Sequence, residues 1–199
     1  MMFTKLRKLL GPKPMPLGLQ PKTGEIYGHV FENPRMGFAR RLFWNLNVEF
    51  EPIQRDGEEW DCSLGIEWLT LPVRTWRDLD GMDLGQVVLP EMLECSLYLY
   101  DTHNPAVLRQ LQLSEVRPAE FEARFSAIAE VYDEIGTRSV EISGKCEVSF
   151  SGIIVVADNL TPKPSAPNDA AMAVADFLAL DDLDVPLSEQ WRFVLRPLT

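Results

Sequence analysis

Apolar and polar side chains alternate through most of this chain with a period of two, the spacing that puts successive residues on opposite faces of a β-strand. In residues 41–51, Leu42, Trp44, Leu46, Val48 and Phe50 share one side, while Asn45, Asn47, Glu49 and Glu51 share the other. After Pro52 and the turn pair Asp56-Gly57 the pattern resumes: Trp60, Cys62, Leu64, Ile66 and Trp68 face in, and Glu59, Asp61, Ser63 and Glu67 face out. Residues 41–71 thus predict one long hairpin whose inner face is rich in tryptophan. Both inner sets fall on even numbers, so paired residue numbers must add to an even total. A two-residue Asp56-Gly57 loop breaks that parity. A three-residue loop keeps it, setting Phe50 opposite Leu64, Val48 opposite Ile66 and Leu46 opposite Trp68; a bulge near Pro52 is the other solution. Pro52 has no amide proton to donate, which suits a sheet edge.

The same pattern recurs downstream. Residues 25–31 form a short strand with both faces partly apolar, ended by Asn33 and Pro34, and residues 92–100 form another with Leu93, Cys95, Leu97 and Leu99 inward. Residues 119–135 fit two periods: a helical stripe of Phe121, Phe125, Ile128, Tyr132 and Ile135, or a strand with Phe121, Ala123, Phe125, Ala127, Ala129 and Val131 inward. We read a strand, because residues 140–152 alternate over a matching length with Val140, Ile142, Cys146, Val148 and Phe150 inward. An even loop around Ile135-Gly136 then sets Phe125 opposite Cys146 and Phe121 opposite Phe150.

Beyond the N-terminal stretch, helices are expected in two places. Asn104 followed by Pro105 has the form of an N-cap and a first helical residue, predicting a short helix to Leu111. Asn168 or Asp169 can cap a second at about 169–180, packing through Val174, Phe177 and Leu178. Trp191, Phe193 and Leu195 alternate with Arg192 and Arg196, predicting a terminal strand at about 190–196 that joins the main sheet. The fold class is mainly β: an antiparallel β-sandwich or large twisted sheet built from long hairpins, with one or two short helices.

The chain has 199 residues and a formal charge of -11. Residues 1–22 contribute five basic side chains and no acid, so residues 23–199 carry -16. The organisation read from this is a basic N-terminal helix or extended tail, residues 1–22, followed by a single β-rich domain, residues 23–199. A helix at residues 2–10 would place Phe3, Leu6, Leu9 and Leu10 on one side, and is read as terminal structure rather than as a membrane anchor. Such an acidic body argues against nucleic acid, whose phosphates need clustered Lys and Arg, and favours a basic protein as partner. No apolar run approaches a membrane span, and no signal peptide is recognised. Cys62, Cys95 and Cys146 lie on inward positions without metal-ligand spacing, so they read as small buried hydrophobes in a reducing, cytoplasmic setting.

Candidate chemistry is sparse. Gly-rich phosphate loops, nucleophile elbows and paired-histidine metal motifs are absent, so no cofactor or metal is expected and the protein is read as a non-enzyme. Asp101 and His103 form the nearest approach to a catalytic cluster, and His29 is read as a packed residue. The turn holding Asp78, Asp80 and Asp83 departs from a calcium loop, with Met82, Asp83 and Leu89 at positions needing an oxygen ligand, glycine and glutamate. Asp181, Asp182 and Asp184 follow the second helix, where the dipole disfavours negative charge. These six aspartates are the candidate binding residues. The function read from the sequence is an acidic module that captures a basic partner, such as an immunity or inhibitor protein neutralising a toxin. The alternative is a structural or assembly subunit that self-associates; a third reading is a hydrolase or metal enzyme with dispersed carboxylates.

Overall fold

A computed structural model of the chain describes residues 15–84, 93–133 and 136–198. Its strands are β1 (Met15–Pro16), β2 (Pro21–Asn33), β3 (Phe38–Phe50), β4 (Ile53–Arg55), β5 (Glu58–Trp60), β6 (Cys62–Leu69), β7 (Glu94–Leu99), β8 (Thr102–Arg117), β9 (Glu120–Asp133), β10 (Gly136–Val156), β11 (Leu187–Glu189) and β12 (Arg192–Leu195), joined by one α-helix, α1 (Pro167–Ala175). The mainly β, largely antiparallel class expected from the alternation is the class observed.

Following the pairing from β10 through β2, β3, β6, β7, β8 and β9 leads back to β10. Seven strands in a closed ring cannot alternate in direction all the way round, so one neighbouring pair must run parallel. That pair is β10 with β2, from Val148 opposite Gly24 to Val155 opposite Val30. The other ring junctions are antiparallel. Strand β10 is the spine, 21 residues long. One edge holds β9 along residues 136–149 and then β12 from Ile153 to Val156, while the other holds β1 and β2. Gly152 marks the hand-over: its φ is +121°, and a Cβ there would lie 2.3 Å from the Leu195 carbonyl oxygen.

The inside of the ring is filled with side chains. Trp44, Ile26, Leu46, Leu64, Ile66, Leu97, Phe121 and Leu111 are almost wholly buried, and the Phe150 ring lies 5.3 Å from Trp76 and 5.8 Å from Trp44. Strand β9 pairs small residues with large ones across β10: Ala127 faces Ile142, Ala129 faces Val140 and Phe125 faces Gly144. This size matching explains why the odd-to-even pairing expected from the sequence is observed, but two residues away from the expected register: Cys146 meets Ala123 rather than Phe125. The helix α1 buries Ala170, Ala173 and Val174 in the same core, and Phe193 and Leu195 enter it from β12.

Four expectations are corrected. The Asp56-Gly57 pair does form a two-residue turn, with φ of 55° and 82°, but within the separate β4–β5 hairpin, where Ile53 faces Trp60. The resulting parity mismatch is absorbed at Pro52 and Asp61, and the main ladder resumes with Val48 opposite Leu64 and Leu46 opposite Ile66. Trp68 does not face the core: between Trp44↔Leu69 and Leu46↔Ile66 strand β6 carries one extra residue, and Trp68, at φ 63°, turns to the outer face. Asn104 caps no helix; it sits in β8 after the two-residue turn Tyr100-Asp101, because both turn residues adopt positive φ and send the chain straight back as a hairpin. The C-terminal elements are shorter than expected, α1 ending at Ala175 and β12 starting at Arg192 after a turn that leaves Trp191 60% exposed. The expected helix at residues 2–10 lies outside the described residues. Met15 and Pro16 already pair with Val140 and Glu141, and β2 starts at Pro21, so the body begins inside the stretch assigned to the tail.

Gly152→Ala should be among the most damaging single-methyl additions, costing about 2–4 kcal/mol from the positive φ and the Leu195 contact together. Chemical denaturation of the variant checks this, with Gly57→Ala as the comparison, since no atom lies within 4 Å of a Cβ at that turn.

Candidate functional site

Since the ring is filled, its concave features lie on the outer surface. A groove of about 480 Å³ opens on the outside of β3, β6 and β7. Cross-strand pairing builds its lining: Glu49, Ser63 and Tyr98 form one row, and Asn47 begins the next, which continues beside the groove as Gly65 and Ser96. Gly65 leaves a gap in the second row; a Cβ there would lie 3.6 Å from the Tyr98 ring. Asp61 and Asp101 stand at the ends of β6 and β7, and Lys22 reaches in from β2.

Glu49, Asp61 and Asp101 therefore face one lysine across an open groove, and none of the three makes an ion pair among the described residues. The wall formed by β8, β9 and β10 differs. There Arg117 bridges Glu120 at 2.8 Å and Glu147 at 2.6 Å, and Glu122 holds Arg124 at 2.7 Å and Lys145 at 3.1 Å. Hydrogen bonds from Arg124 and Lys145 keep the Glu122 carboxyl below the usual carboxylate range. Glu120, Glu122 and Glu147 are thus cross-paired on that wall, whereas the three groove carboxylates, like Glu115, Glu130 and Glu141, have no ion pair among the described residues.

Along the groove, Ser96 Oγ and His103 Nε2 lie 2.6 Å apart, and the His103 ring stacks on Tyr98 with centroids 5.3 Å apart. Asp101, two residues before His103, lies in the hairpin turn. A hydroxyl beside an imidazole is the start of a nucleophile–base pair. Ser96, however, lies mid-strand in β7, which is paired on both edges, so backbone donors for an oxyanion are taken up by the ladders.

The outward turn of Trp68 creates a second feature. Its ring lies 5.1 Å from His29, 5.2 Å from Phe31 and 5.1 Å from Phe43, each nearly edge-on. Asn45, 5% exposed, ties the cluster together: Nδ2 donates to His29 Nδ1 at 2.7 Å and Oδ1 accepts from the Trp68 amide at 3.3 Å. That bond makes Nδ1 an acceptor and leaves the neutral ring's proton on Nε2. Burial lowers the His29 pKa to about 4. His29 is a packed, neutral histidine.

The six candidate aspartates form two neighbouring turns. Asp78 Oδ2 accepts from the amides of Arg74 at 2.7 Å and Thr75 at 2.9 Å, bonds that hold its carboxyl low. Asp80 accepts from the Glu115 amide, and Asp83 from the Gln112 side chain. Asp182 pairs with Arg77 at 3.1 Å and its carbonyl accepts from Trp76 Nε1, which joins the two turns. Asp184 accepts from the Val185 amide, while Asp181 is exposed. The turns meet, but three of the six carboxylates, those of Asp78, Asp80 and Asp184, are held by backbone amides. Among the described residues no group of three or more His, Cys, Asp or Glu is placed to hold a metal ion.

Cys62, Cys95 and Cys146 are buried free thiols; burial pushes Cys62 and Cys95 up to about 12 and Cys146 to about 11, which leaves them without thiolate character. No helix among the described residues is long and apolar enough to cross a membrane. Sequence reasoning missed the groove, because its members lie on four strands and a turn. The available signal was the pairing of outward positions Glu49 and Ser63, two residues away from the register expected for that hairpin.

His29 should give stability a pH dependence. Its folded pKa lies below the ordinary 6.5, so the neutral form is favoured in the fold and its contribution is complete above that value. The contribution is lost as pH falls from 6.5 toward 4, where the unfolded chain binds the extra proton. We expect the drop in thermal midpoint between about pH 7 and pH 5 to shrink by half or more in His29→Gln, measured by calorimetry.

The chain matches no protein-family model, no curated protein and no solved structure.

Proposed function

We propose that the protein is a binding module whose acidic groove on β3, β6 and β7 receives basic side chains of a partner protein, in the manner of an inhibitor or immunity protein. The observation that carries this reading is the contrast between Glu49, Asp61 and Asp101, without ion-pair partners among the described residues, and the cross-paired carboxylates of the opposite wall. Unpaired carboxylates in a concave site raise the local concentration of a cationic partner and speed its docking. Tyr98, 44% exposed, supplies an aromatic side wall of the kind enriched at protein interfaces. The filled ring supports an outer-surface role over carriage of a ligand inside. Three buried thiols are consistent with a reducing, cytoplasmic setting.

Self-association is the second reading. It is favoured by β11, which among the described residues pairs with β12 alone and begins at Leu187, 50% exposed, beside Val185, 66% exposed. An open strand edge flanked by apolar residues can pair with another copy.

The test uses a fluorescent oligo-arginine peptide and anisotropy at low and high salt. A variant carrying Glu49→Gln, Asp61→Asn and Asp101→Asn should bind about 10-fold more weakly at low salt. A control with the same charge change elsewhere, Glu115→Gln, Glu141→Gln and Asp176→Asn, should lose about 2-fold or less. Equal losses would sink the groove assignment, leaving only non-specific attraction to net charge. Sedimentation of the protein alone separates the second reading, which requires concentration-dependent oligomers.

A further inference from the structure

A separate cavity of about 300 Å³ lies beside the β4–β5 hairpin, at the end of the ring where the β7–β8 turn and the end of β9 come together. Its walls are aromatic: Trp60 from β5, Tyr100 from the β7–β8 turn and Tyr132 from β9. Trp60 and Tyr100 stand nearly perpendicular, at 83° with centroids 6.0 Å apart, so they present adjoining walls rather than one stack. Tyr132 is 52% exposed. At the mouth stand the carboxylate side chains Asp56 and Glu58, carried there by the Asp56-Gly57 turn. No described Lys or Arg lines the cavity.

The base of the cavity is held by Asn104, 1% exposed. Its Nδ2 donates to the carbonyls of Leu97 at 3.2 Å and Thr102 at 2.9 Å, and its Oδ1 accepts from the Tyr132 amide at 3.2 Å. One buried side chain therefore locks the β7–β8 turn that carries Tyr100 to the strand that carries Tyr132. Two walls of the cavity are set before any ligand arrives, which lowers the ordering cost of binding.

Aromatic faces carry negative quadrupole potential, and several of them around one cavity attract a cation whose charge is spread over methyl groups, whose dehydration costs less than that of a compact ammonium. Carboxylates at the mouth add longer-range attraction and discourage anions. We infer that Trp60, Tyr100 and Tyr132 form an aromatic cage for a small alkylammonium head, as on choline or a methylated lysine, with Asp56 and Glu58 guarding its mouth. The cage shares no residue with the acidic groove and stands whether or not the groove captures a basic protein.

The probes are choline, a short peptide carrying one trimethyl-lysine, and dimethylbutanol, the uncharged carbon isostere of choline. Binding is read on the indole N–H resonance of Trp60, assigned by its disappearance in Trp60→Phe, at constant ionic strength. The cage requires a saturable shift of that resonance with choline or the peptide, and at least about 10-fold weaker binding of dimethylbutanol. Tighter binding of choline marks a free ligand; tighter binding of the peptide marks a protein-borne one. Tyr132→Leu, at an exposed position that does not threaten the fold, should weaken binding about 5-fold or more, and Glu58→Gln should weaken it by a smaller factor. Equal affinity for dimethylbutanol, or an unshifted Trp60 resonance with both cations, overturns the assignment, as does a Tyr132→Leu variant that binds like the parent.

Discussion

The parallel contact between β10 and β2 is the constraint on which the rest of the molecule depends. A ring of seven strands admits no fully antiparallel solution, and the chain places its one parallel junction where a strand near the start of the body meets a strand near its end. That junction joins segments more than a hundred residues apart, so it carries the largest loop-closure cost of the ring junctions. It has no hairpin to fix its register. Side-chain fit does so instead: Gly24 and Gly28 of β2 leave room for Val148 and Ile153 of β10, whose side chains a Cβ at either glycine would meet at 2.6 and 2.5 Å.

Closure decides where function can reside. A ring whose inner positions hold Trp44, Phe121, Phe150 and their aliphatic neighbours has no room for a guest, and the described cavities accordingly open outward. The outer surface is not uniform. Its β8–β10 wall cross-pairs Glu120, Glu122 and Glu147 through Arg117, Arg124 and Lys145, whereas the β3–β6–β7 wall leaves Glu49, Asp61 and Asp101 facing solvent in a concavity. The β4–β5 hairpin, which interrupts the β3–β6 pairing, carries Asp56, Glu58 and Trp60 to the aromatic cavity. A hairpin that looks like a mere parity defect in the sequence thus lines the cavity, and the residues flanking it, Pro52 and Asp61, line the groove.

Much of the fold was legible in the alternation, since the inward sets on β3, β7, β9 and β10 are the buried sets. Period two reports which face a residue occupies, but it is blind to shifts by an even number of residues. Both predicted hairpins accordingly had the right parity and the wrong register, and the β9–β10 register was decided by Ala–Ile and Phe–Gly matching that no single strand displays. Trp68 was misplaced because one extra residue at a positive φ inverts the pattern without leaving a glycine to announce it. Asn104-Pro105 carries helix-starting chemistry, yet the positive φ values of Tyr100 and Asp101 commit the chain to a hairpin two residues earlier. The groove and the cage lay beyond reach for a different reason. Each is assembled from single outward residues on several strands, so the local sequence around any one of them resembles an ordinary solvated strand. Of the acidic turns that the sequence does display as clusters, Asp78, Asp80 and Asp184 accept from backbone amides, Asp83 from a glutamine side chain, and Asp182 pairs with Arg77.

Native-state hydrogen exchange on the β2 amides that point toward β10 is the most direct test of closure, since those amides are either laddered or sit at an open edge. The closed ring predicts that they exchange as slowly as the amides β2 directs to β3, opening only with global unfolding. Exchange at the fast rates of an exposed strand edge, with the β2–β3 amides still protected, would contradict the closed ring and with it the placement of function on the outer wall.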